Sequence, residues 1–183
     1  EMCIRDSYKK GVSKKIKILK KDKILCAKYR KGHFEGVLDV MERLTNLVNP
    51  KKIFMGKKDY QQYFLIKNYL KNKHKTSIIP CKTIRDKSKI ALSSRNNHLD
   101  LNGIKKASFL SKDLIKLKRN LANSKNIKQN LGIKMKYFEK LLKIKIEYLE
   151  LRTIKNLKIS NTVKGSRLFI AYYIDKVRLI DNF

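Results

Sequence analysis

The sequence has few cysteines, no long apolar run and nothing that resembles a cleavable secretory signal. Its three cysteines, among 183 residues, are widely spaced, with no Cys-x-x-Cys pair. This usage fits a reducing compartment and argues against structural zinc. No apolar run approaches the length needed to cross a bilayer. We therefore expect a cytoplasmic protein without a membrane partner, long enough for one sizeable domain or two small ones.

Acidic residues are also scarce. The chain has 15 Asp and Glu against 46 Lys and Arg, a formal net charge of +31. Such a charge is typical of nucleic-acid-binding proteins, and a basic module that uses Tyr29, His33, Phe34 and the lysines is one hypothesis. The lysines are, however, spread along the whole chain, and Ile and Asn, which share A/T-rich codons with Lys, are enriched too. We favour compositional drift and expect no specific nucleic-acid partner.

Residues 1–7, Glu-Met-Cys-Ile-Arg-Asp-Ser, do not share this lysine-rich bias. They resemble a translated sequencing adaptor, and we expect them to be an artefact at a truncated reading frame. Native coding sequence running upstream through these codons would refute that hypothesis. Residues 1–7 are therefore left out of the fold prediction.

The most informative stretch runs from Ile53 to Asn96. It opens with an apolar run that ends at Gly56 and a charged cluster, and it closes with the polar loop 91–96. An amphipathic helix pattern beginning at Tyr60, with Asp59 as its cap, and a second apolar run at 76–81 lie between them. This alternation predicts a parallel α/β sheet, in which ligands bind at the carboxyl ends of strands.

The flanking segments extend this pattern on both sides. Upstream, one or two short strands are predicted at 15–29, then a glycine-containing loop at 29–36 and a helix from Val37 that Asn49-Pro50 ends. Downstream, two lysine-rich helices and three strands form an α+β module, with a tight Asp175-Lys176 connection before the last strand. We place the helices at 102–122 and 126–144, the strands at 146–151, 167–173 and 176–180, and the domains at 8–96 and 97–183.

Taken one at a time, the polar clusters carry little weight. Lys57-Lys58-Asp59 at a helix start suits phosphate and ribose, but in so basic a chain a solvated lysine pair beside a helix cap is the better explanation of this cluster alone. Ser93-Ser94-Arg95 offers hydroxyls and a guanidinium to phosphate oxygens, or is simply a polar loop. No Gly-x-Gly-x-x-Gly, Walker loop, metal-ligand spacing or Ser-His-Asp order occurs. The residues alone predict an anion or nucleotide site and nothing narrower.

Together, five blocks occur in one order and spacing, and they resemble the pantothenate synthetase (pantoate–β-alanine ligase) family from about Lys28 onward. The blocks are Arg-x-Gly-His-Phe-x-Gly-Val (30 to 37), Gly-x-Lys-Asp-Tyr-Gln-Gln (56 to 62), Ala-Leu-Ser-Ser-Arg-Asn (91 to 96), Tyr-Leu-Glu-Leu-Arg (148 to 152) and Arg-Leu-Ile-Asp-Asn (178 to 182). Related adenylyl- or cytidylyltransferases are a further alternative, against which the second and fifth blocks argue.

The resemblance implies the C-terminal part of a Rossmann-like, HIGH-superfamily nucleotidyltransferase-like parallel sheet, followed by a small α+β lid domain. It also implies an adenylate-forming ligase that uses ATP with Mg²⁺ to join pantoate and β-alanine through pantoyl adenylate. The full-length protein would be a homodimer formed through its nucleotide-binding domains. Because such chemistry needs mainly positioning and charge neutralisation, no covalent catalytic residue is expected.

Carried over by motif, the resemblance assigns roles in three groups. Gln62 would bind pantoate, while Arg30 and His33 would line the pocket. Nine further positions would bind ATP: Lys58 would contact the phosphates, Asp59 the ribose and the Ile84 backbone the adenine, while Gly56 lets the backbone approach and the loop 92–95 wraps the triphosphate. The nine are Gly56, Lys57, Lys58, Asp59, Ile84, Leu92, Ser93, Ser94 and Arg95.

Three departures from the family pattern stand out. Lys57 replaces a usual Glu, and Ser88-Lys89 replaces a usual Asp-Gly turn. The family's opening half, with its catalytic His-x-Gly-His signature and a second pantoate glutamine, has no counterpart in these residues. A parallel sheet without its first strands exposes an edge, so we expect the 183 residues alone to be inactive and prone to aggregate.

Overall fold

The computed structural model describes residues 16–183, so the predicted adaptor at 1–7 lies outside the described residues. The chain divides into two compact units after Lys82 rather than near the predicted position 97. The intervening segment belongs to the second unit because its polar groups bond there: Arg85 pairs with Asp181, and the Ser108 hydroxyl donates to the Ser88 carbonyl. A composition shift does not report such contacts.

The first unit contains a two-stranded parallel sheet with helices around it. Strands β1 and β2 pair in register from Lys52 opposite Ser77 to Gly56 opposite Cys81, which confirms the predicted strand–helix–strand arrangement. The elements are α1 (Cys26–Tyr29), α2 (His33–Val48), β1 (Lys52–Gly56), α3 (Tyr60–Leu70) and β2 (Ser77–Cys81), with 3-10 turns at Lys20–Asp22 and Lys57–Asp59. Helix α3 buries Ile66 and Leu70 completely.

Helix α2 begins four residues earlier than its apolar spacing predicts. Gly32 takes a left-handed backbone, with φ of 78°, and the helix starts at the next residue, inside the predicted loop 29–36. Phe34 is buried, so the first turn already packs against the unit. The end is as expected: Asn49 adopts a left-handed conformation before Pro50, which cannot continue a helix.

The strands predicted at 15–29 are wrong for the described part of that stretch. It holds a 3-10 turn and the one-turn helix α1 instead. The Gln61 side chain donates hydrogen bonds to the carbonyls of Asp22 and Ile24, which a neighbouring strand would otherwise use. The alternation of lysines with apolar residues therefore does not indicate a strand here, because hydrogen bonds from the Gln61 side chain hold this backbone in a non-strand conformation.

The second unit has two helices and three strands, as the sequence predicts, and the strands form an antiparallel sheet in the order β3-β4-β5. Asp100 caps the first helix by accepting from the Gly103 amide at 2.6 Å. Asp175, with φ of 50°, makes the tight turn between the last two strands. The elements are α4 (Leu101–Asn120), α5 (Ile127–Leu142), β3 (Lys145–Thr153), β4 (Ser166–Ile174) and β5 (Val177–Asn182), with 3-10 turns at Ser94–His98 and Leu121–Asn123.

The core of this unit lies between the helices and the sheet. Leu110 and Leu114 of α4, Phe138 of α5 and Leu168 and Ile170 of β4 are at most 1% exposed. Burying each such side chain contributes roughly 1.5–3 kcal/mol, which makes the sheet a rigid support for the loops attached to it. Within residues 16–183, no helix is both long and apolar enough to cross a membrane.

Candidate functional site

The charged cluster of the first unit follows directly on the carboxyl end of β1. Lys57, Lys58 and Asp59 form a 3-10 turn, and α3 begins at Tyr60. Both lysines are half-buried, whereas Asp59 is exposed. Asp59 occupies the N-cap position but its side chain makes no capping hydrogen bond, so the predicted cap is wrong. Its carboxylate therefore remains available to a ligand.

Gly56 is not required by the backbone. Its φ of −66° and ψ of 130° lie in the extended region that any residue adopts. A Cβ built there would meet nothing within 4 Å. Gly56 thus leaves room beside the backbone at the end of β1, which suits the close approach that the resemblance implies.

The two glutamines at the start of α3 have different surroundings. Gln61 is only 6% exposed, although glutamine is mostly a surface residue. Its Nε2 donates to the Ile24 carbonyl at 2.7 Å and to the Asp22 carbonyl at 3.3 Å, while its buried Oε1 has no hydrogen-bond partner. Gln62 is half-buried in the same helical turn. The Gln61 side chain therefore has a structural role, since its hydrogen bonds hold the backbone at residues 22–24.

Arg30 and His33, the two predicted pocket-lining residues, contact each other. Arg30 Nη1 lies 2.7 Å from His33 Nε2. A guanidinium can only donate, so His33 Nε2 is the acceptor in this contact. The imidazole also packs at a tilt against Phe34, with ring centroids 5.0 Å apart. These two contacts set the orientation of the His33 ring.

In the second unit, a short hairpin brings together two of the predicted ATP contacts. The Leu92 amide donates to the Ile84 carbonyl at 3.0 Å, and Arg85 bridges Ala91 in antiparallel fashion. Ile84 is 63% exposed and Leu92 55% exposed. Two exposed apolar side chains on paired residues offer a small apolar surface, and a flat aromatic ring is one chemical group that would pack on it.

The turn of this hairpin adopts a glycine-like conformation without a glycine. Lys89, which stands where the family usually has the Gly of an Asp-Gly turn, has φ of 71°. Asp86 closes the turn: its carbonyl accepts from the Lys89 amide at 3.0 Å, and its carboxylate accepts from the Ile90 amide at 2.9 Å. The loop thus keeps a tight turn despite the departure at Ser88-Lys89.

The Ser-Ser-Arg block starts a 3-10 turn. Ser93 caps it, its hydroxyl accepting from the Arg95 amide at 3.3 Å. Ser94 and Arg95 are exposed. Arg95 Nη1 donates to the Arg178 carbonyl of β5 at 2.9 Å, so the exposed guanidinium is anchored at one corner. This places a hydroxyl and a cation at the surface immediately after Leu92.

Arg85 and Asp181 are the residues of this region that sequence reasoning missed. Arg85 Nη1 and Nη2 meet the two Asp181 carboxylate oxygens at 2.6 and 2.9 Å. Their side chains are only 18% and 6% exposed. Burial raises the pKa of nearby Tyr172, and the Asp181 carboxylate raises it further while Arg85 lowers it. An aspartate inside an apolar strand was the available signal, since buried carboxylates need a partner.

The described residues define an α/β protein with a basic cluster at the carboxyl end of β1 and, in the second unit, an exposed hydroxyl and guanidinium that follow the 84–92 hairpin. The family model described as pantoate-beta-alanine ligase matches residues 4–183. The chain therefore belongs to the pantoate–β-alanine ligase family, which confirms the resemblance drawn from its sequence blocks.

Individual relatives agree. A pantothenate synthetase from Caldicellulosiruptor saccharolyticus is 34% identical over 188 residues, covering 98% of this chain and 65% of that protein. A pantothenate synthetase structure from Thermus thermophilus superposes with a TM-score of 0.82 at 26% identity, covering 98% of this chain and 66% of that one. A Francisella tularensis pantoate-beta-alanine ligase, complexed with beta-gamma ATP and beta-alanine, gives 0.73 at 34% identity over 92% of this chain and 56% of that one. The chain thus spans two thirds or less of these relatives' length.

Proposed function

We propose that this chain supplies nucleotide- and pantoate-binding residues for the ATP-dependent ligation of pantoate to β-alanine. The observation that carries the proposal is the family match over residues 4–183. The related Francisella tularensis structure is described as complexed with beta-gamma ATP and beta-alanine. Those ligands fit the basic, hydroxyl-rich loops of this chain.

The reaction has two displacements. First, a pantoate carboxylate oxygen attacks the α-phosphorus of ATP, forming a P–O bond while the bond to the β-phosphate oxygen breaks and pyrophosphate leaves. Then the β-alanine amine attacks the acyl carbon, the C–O bond breaks, AMP leaves and the nitrogen loses a proton. Neither step needs a covalent bond to the protein, so the chain's task is to orient reactants and neutralise phosphate charge.

In the first unit, Lys58 would meet the phosphates and Asp59 the ribose. The uncapped, exposed Asp59 carboxylate is free for such a bond. Lys57 adds a second cation where the family usually has Glu, which would favour a more anionic ligand. Gln62 would hold pantoate, and His33, oriented by its contact with Arg30, would line the pocket.

In the second unit, the Ile84 and Leu92 hairpin would carry the adenine. The Ile84 carbonyl accepts one hydrogen bond from Leu92 and keeps a second lone pair for an exocyclic amine. Ser93, Ser94 and Arg95 would then follow the triphosphate. Because Arg95 is exposed and is anchored through Nη1 to the Arg178 carbonyl, the rest of its planar fork suits phosphate oxygens.

Several finer features belong to the same proposal. They are a HIGH-superfamily nucleotidyltransferase-like Rossmann sheet, a lid role for the α+β module, a cytoplasmic location and a homodimer. Mg²⁺ would reach the site on the nucleotide, since this ion keeps water and phosphate oxygens and needs only one or two carboxylates. No cluster of three His, Cys, Asp or Glu that could hold a metal occurs within 16–183.

The test is pantothenate formation by residues 16–183 joined behind the remaining third of the Thermus thermophilus relative. Lys58→Ala and Arg95→Ala should each lower kcat/KM for ATP by about 10²-fold or more, because each removes a positive charge that stabilises the negative charge of the phosphates in the transition state. Lys71→Ala and Arg119→Ala remove exposed cations elsewhere and serve as matched controls. A cooperatively folded chimera that forms no pantothenate, or equal losses in the controls, would contradict the proposal.

A further inference from the structure

One guanidinium joins the 84–92 hairpin to strand β5. Arg85 donates to both carboxylate oxygens of Asp181, to the Asn182 carbonyl at 3.3 Å and, across the hairpin, to the Lys89 carbonyl at 3.0 Å. Its flat face lies over the Phe183 ring, 4.5 Å from the centroid. A lysine could not make this set of contacts, because it lacks the rigid planar fork.

The Asp181 side of the contact is equally fixed. Its Oδ1 also accepts from the Asn182 amide at 2.7 Å, so both carboxylate oxygens are occupied. Phe183 continues the sheet by exchanging two backbone hydrogen bonds with Leu168, at 3.0 and 3.1 Å. The hairpin is thus bonded to the sheet that packs on the apolar core of the unit.

Two exposed candidate segments, the 84–92 hairpin and Arg95, are both bonded to strand β5. Ile84 and Leu92 flank the Arg85–Ala91 bridge, which Asp181 holds through Arg85. Arg95 is held by the carbonyl of Arg178, three residues before Asp181 on β5. Strand β5 therefore sets the spacing between the exposed apolar pair and the exposed guanidinium.

We propose that Arg85 and Asp181 are positioning residues for the nucleotide: their ion pair holds the 84–92 hairpin in the conformation that receives ATP. This inference rests on the proposed function, which assigns the hairpin to the adenine. The pair touches no reacting atom. If it is broken, the hairpin populates its binding conformation for a smaller fraction of the time, and apparent affinity falls by that fraction.

The experiment measures ATP binding by calorimetry and amide hydrogen exchange on the chimera described above, because the 183 residues alone are expected to aggregate. Asp181→Asn keeps the shape but removes the charge and one acceptor, and Arg85→Lys keeps the charge but removes the fork. Each should raise the ATP dissociation constant about tenfold and speed exchange of the Leu92 amide by a similar factor. Because the two act as one unit, the double variant should be little worse than either alone.

Glu150→Gln is the matched control. It breaks another arginine–carboxylate pair of the same sheet, in which Arg152 Nε donates to Glu150 at 2.6 Å. It should leave ATP affinity and Leu92 exchange within about twofold of the unmodified chimera. Tripolyphosphate, which lacks the base and ribose, should bind all variants alike, since so basic a chain attracts it by charge alone.

The outcomes separate the two proposals. ATP affinity that is unchanged in Asp181→Asn and Arg85→Lys, with tight binding by the unmodified chimera, overturns only the positioning role. An equal loss in Glu150→Gln overturns it too. Failure of the unmodified chimera to prefer ATP over tripolyphosphate contradicts the proposed function and this inference with it. If Asp181→Asn fails to fold, the positioning role is tested with Arg85→Lys alone, because this variant retains a cation beside the carboxylate.

Discussion

Replacing Lys89 by glycine should stabilise the 84–92 hairpin. Lys89 has φ of 71°, and a left-handed backbone costs a non-glycine residue roughly 1–2 kcal/mol. Glycine avoids that cost but loses about 0.5–1 kcal/mol more backbone entropy on folding. The net expected gain is about 0.5–1 kcal/mol. The bonds of Lys89 to Asp86 and Arg85 are made by its backbone, so they survive, and its side chain is exposed.

Thermal unfolding and exchange of the Ile90 amide, which donates to Asp86, measure this gain. For a chain of this size, the melting temperature should rise by roughly 1–4 °C. Lys89→Ala removes the same side chain without relieving the backbone and should change stability by less than about 0.5 kcal/mol. Lys89→Asn should fall between them, since Asn tolerates the left-handed region. A glycine variant no more stable than the alanine variant would refute the reasoning.

Three further predictions concern the scaffold. Burial lowers the pKa of Lys118, and Arg167 lowers it further, so the charged form of this side chain destabilises the folded protein at neutral pH. Lys118→Met should therefore raise the melting temperature at pH 7. The difference in melting temperature between the variant and the unmodified protein should shrink as pH rises toward the usual lysine pKa. Phe138→Ala should cost about 3–5 kcal/mol in urea unfolding because this side chain is fully buried. Tyr69→Phe removes the hydroxyl that donates to Glu42 and should cost about 0.5–1.5 kcal/mol, whereas no loss would mean that the bond is not formed in solution.

Much of the fold could be predicted because its elements repeat at the periods that helices and strands impose. The apolar runs of β1 and β2, separated by a helical pattern, specify a parallel pair, and the structure confirms it. The strands predicted at 15–29 failed because Gln61 supplies a tertiary bond that overrides local pattern. The early start of α2 depends on the left-handed Gly32, which spacing alone does not reveal.

The candidate site divides in the same way. Positions carried by contiguous blocks, such as Lys58 and Arg95, could be named from sequence because their neighbours identify them. Arg85 and Asp181 could not, because they are separated by 96 positions and only the packed sheet brings them together. The turn at Lys89 was also hidden, since no glycine marks its left-handed backbone.

The most direct test of the central claim is the fate of pantoate oxygen. The chimera described above would be supplied with ATP, β-alanine and pantoate labelled with ¹⁸O in its carboxylate. If the carboxylate attacks the α-phosphorus, the bridging oxygen stays on phosphorus when the amine displaces AMP, so the AMP formed should carry one ¹⁸O. Unlabelled AMP, or ADP and phosphate as the products, would contradict an acyl-adenylate mechanism for this chain.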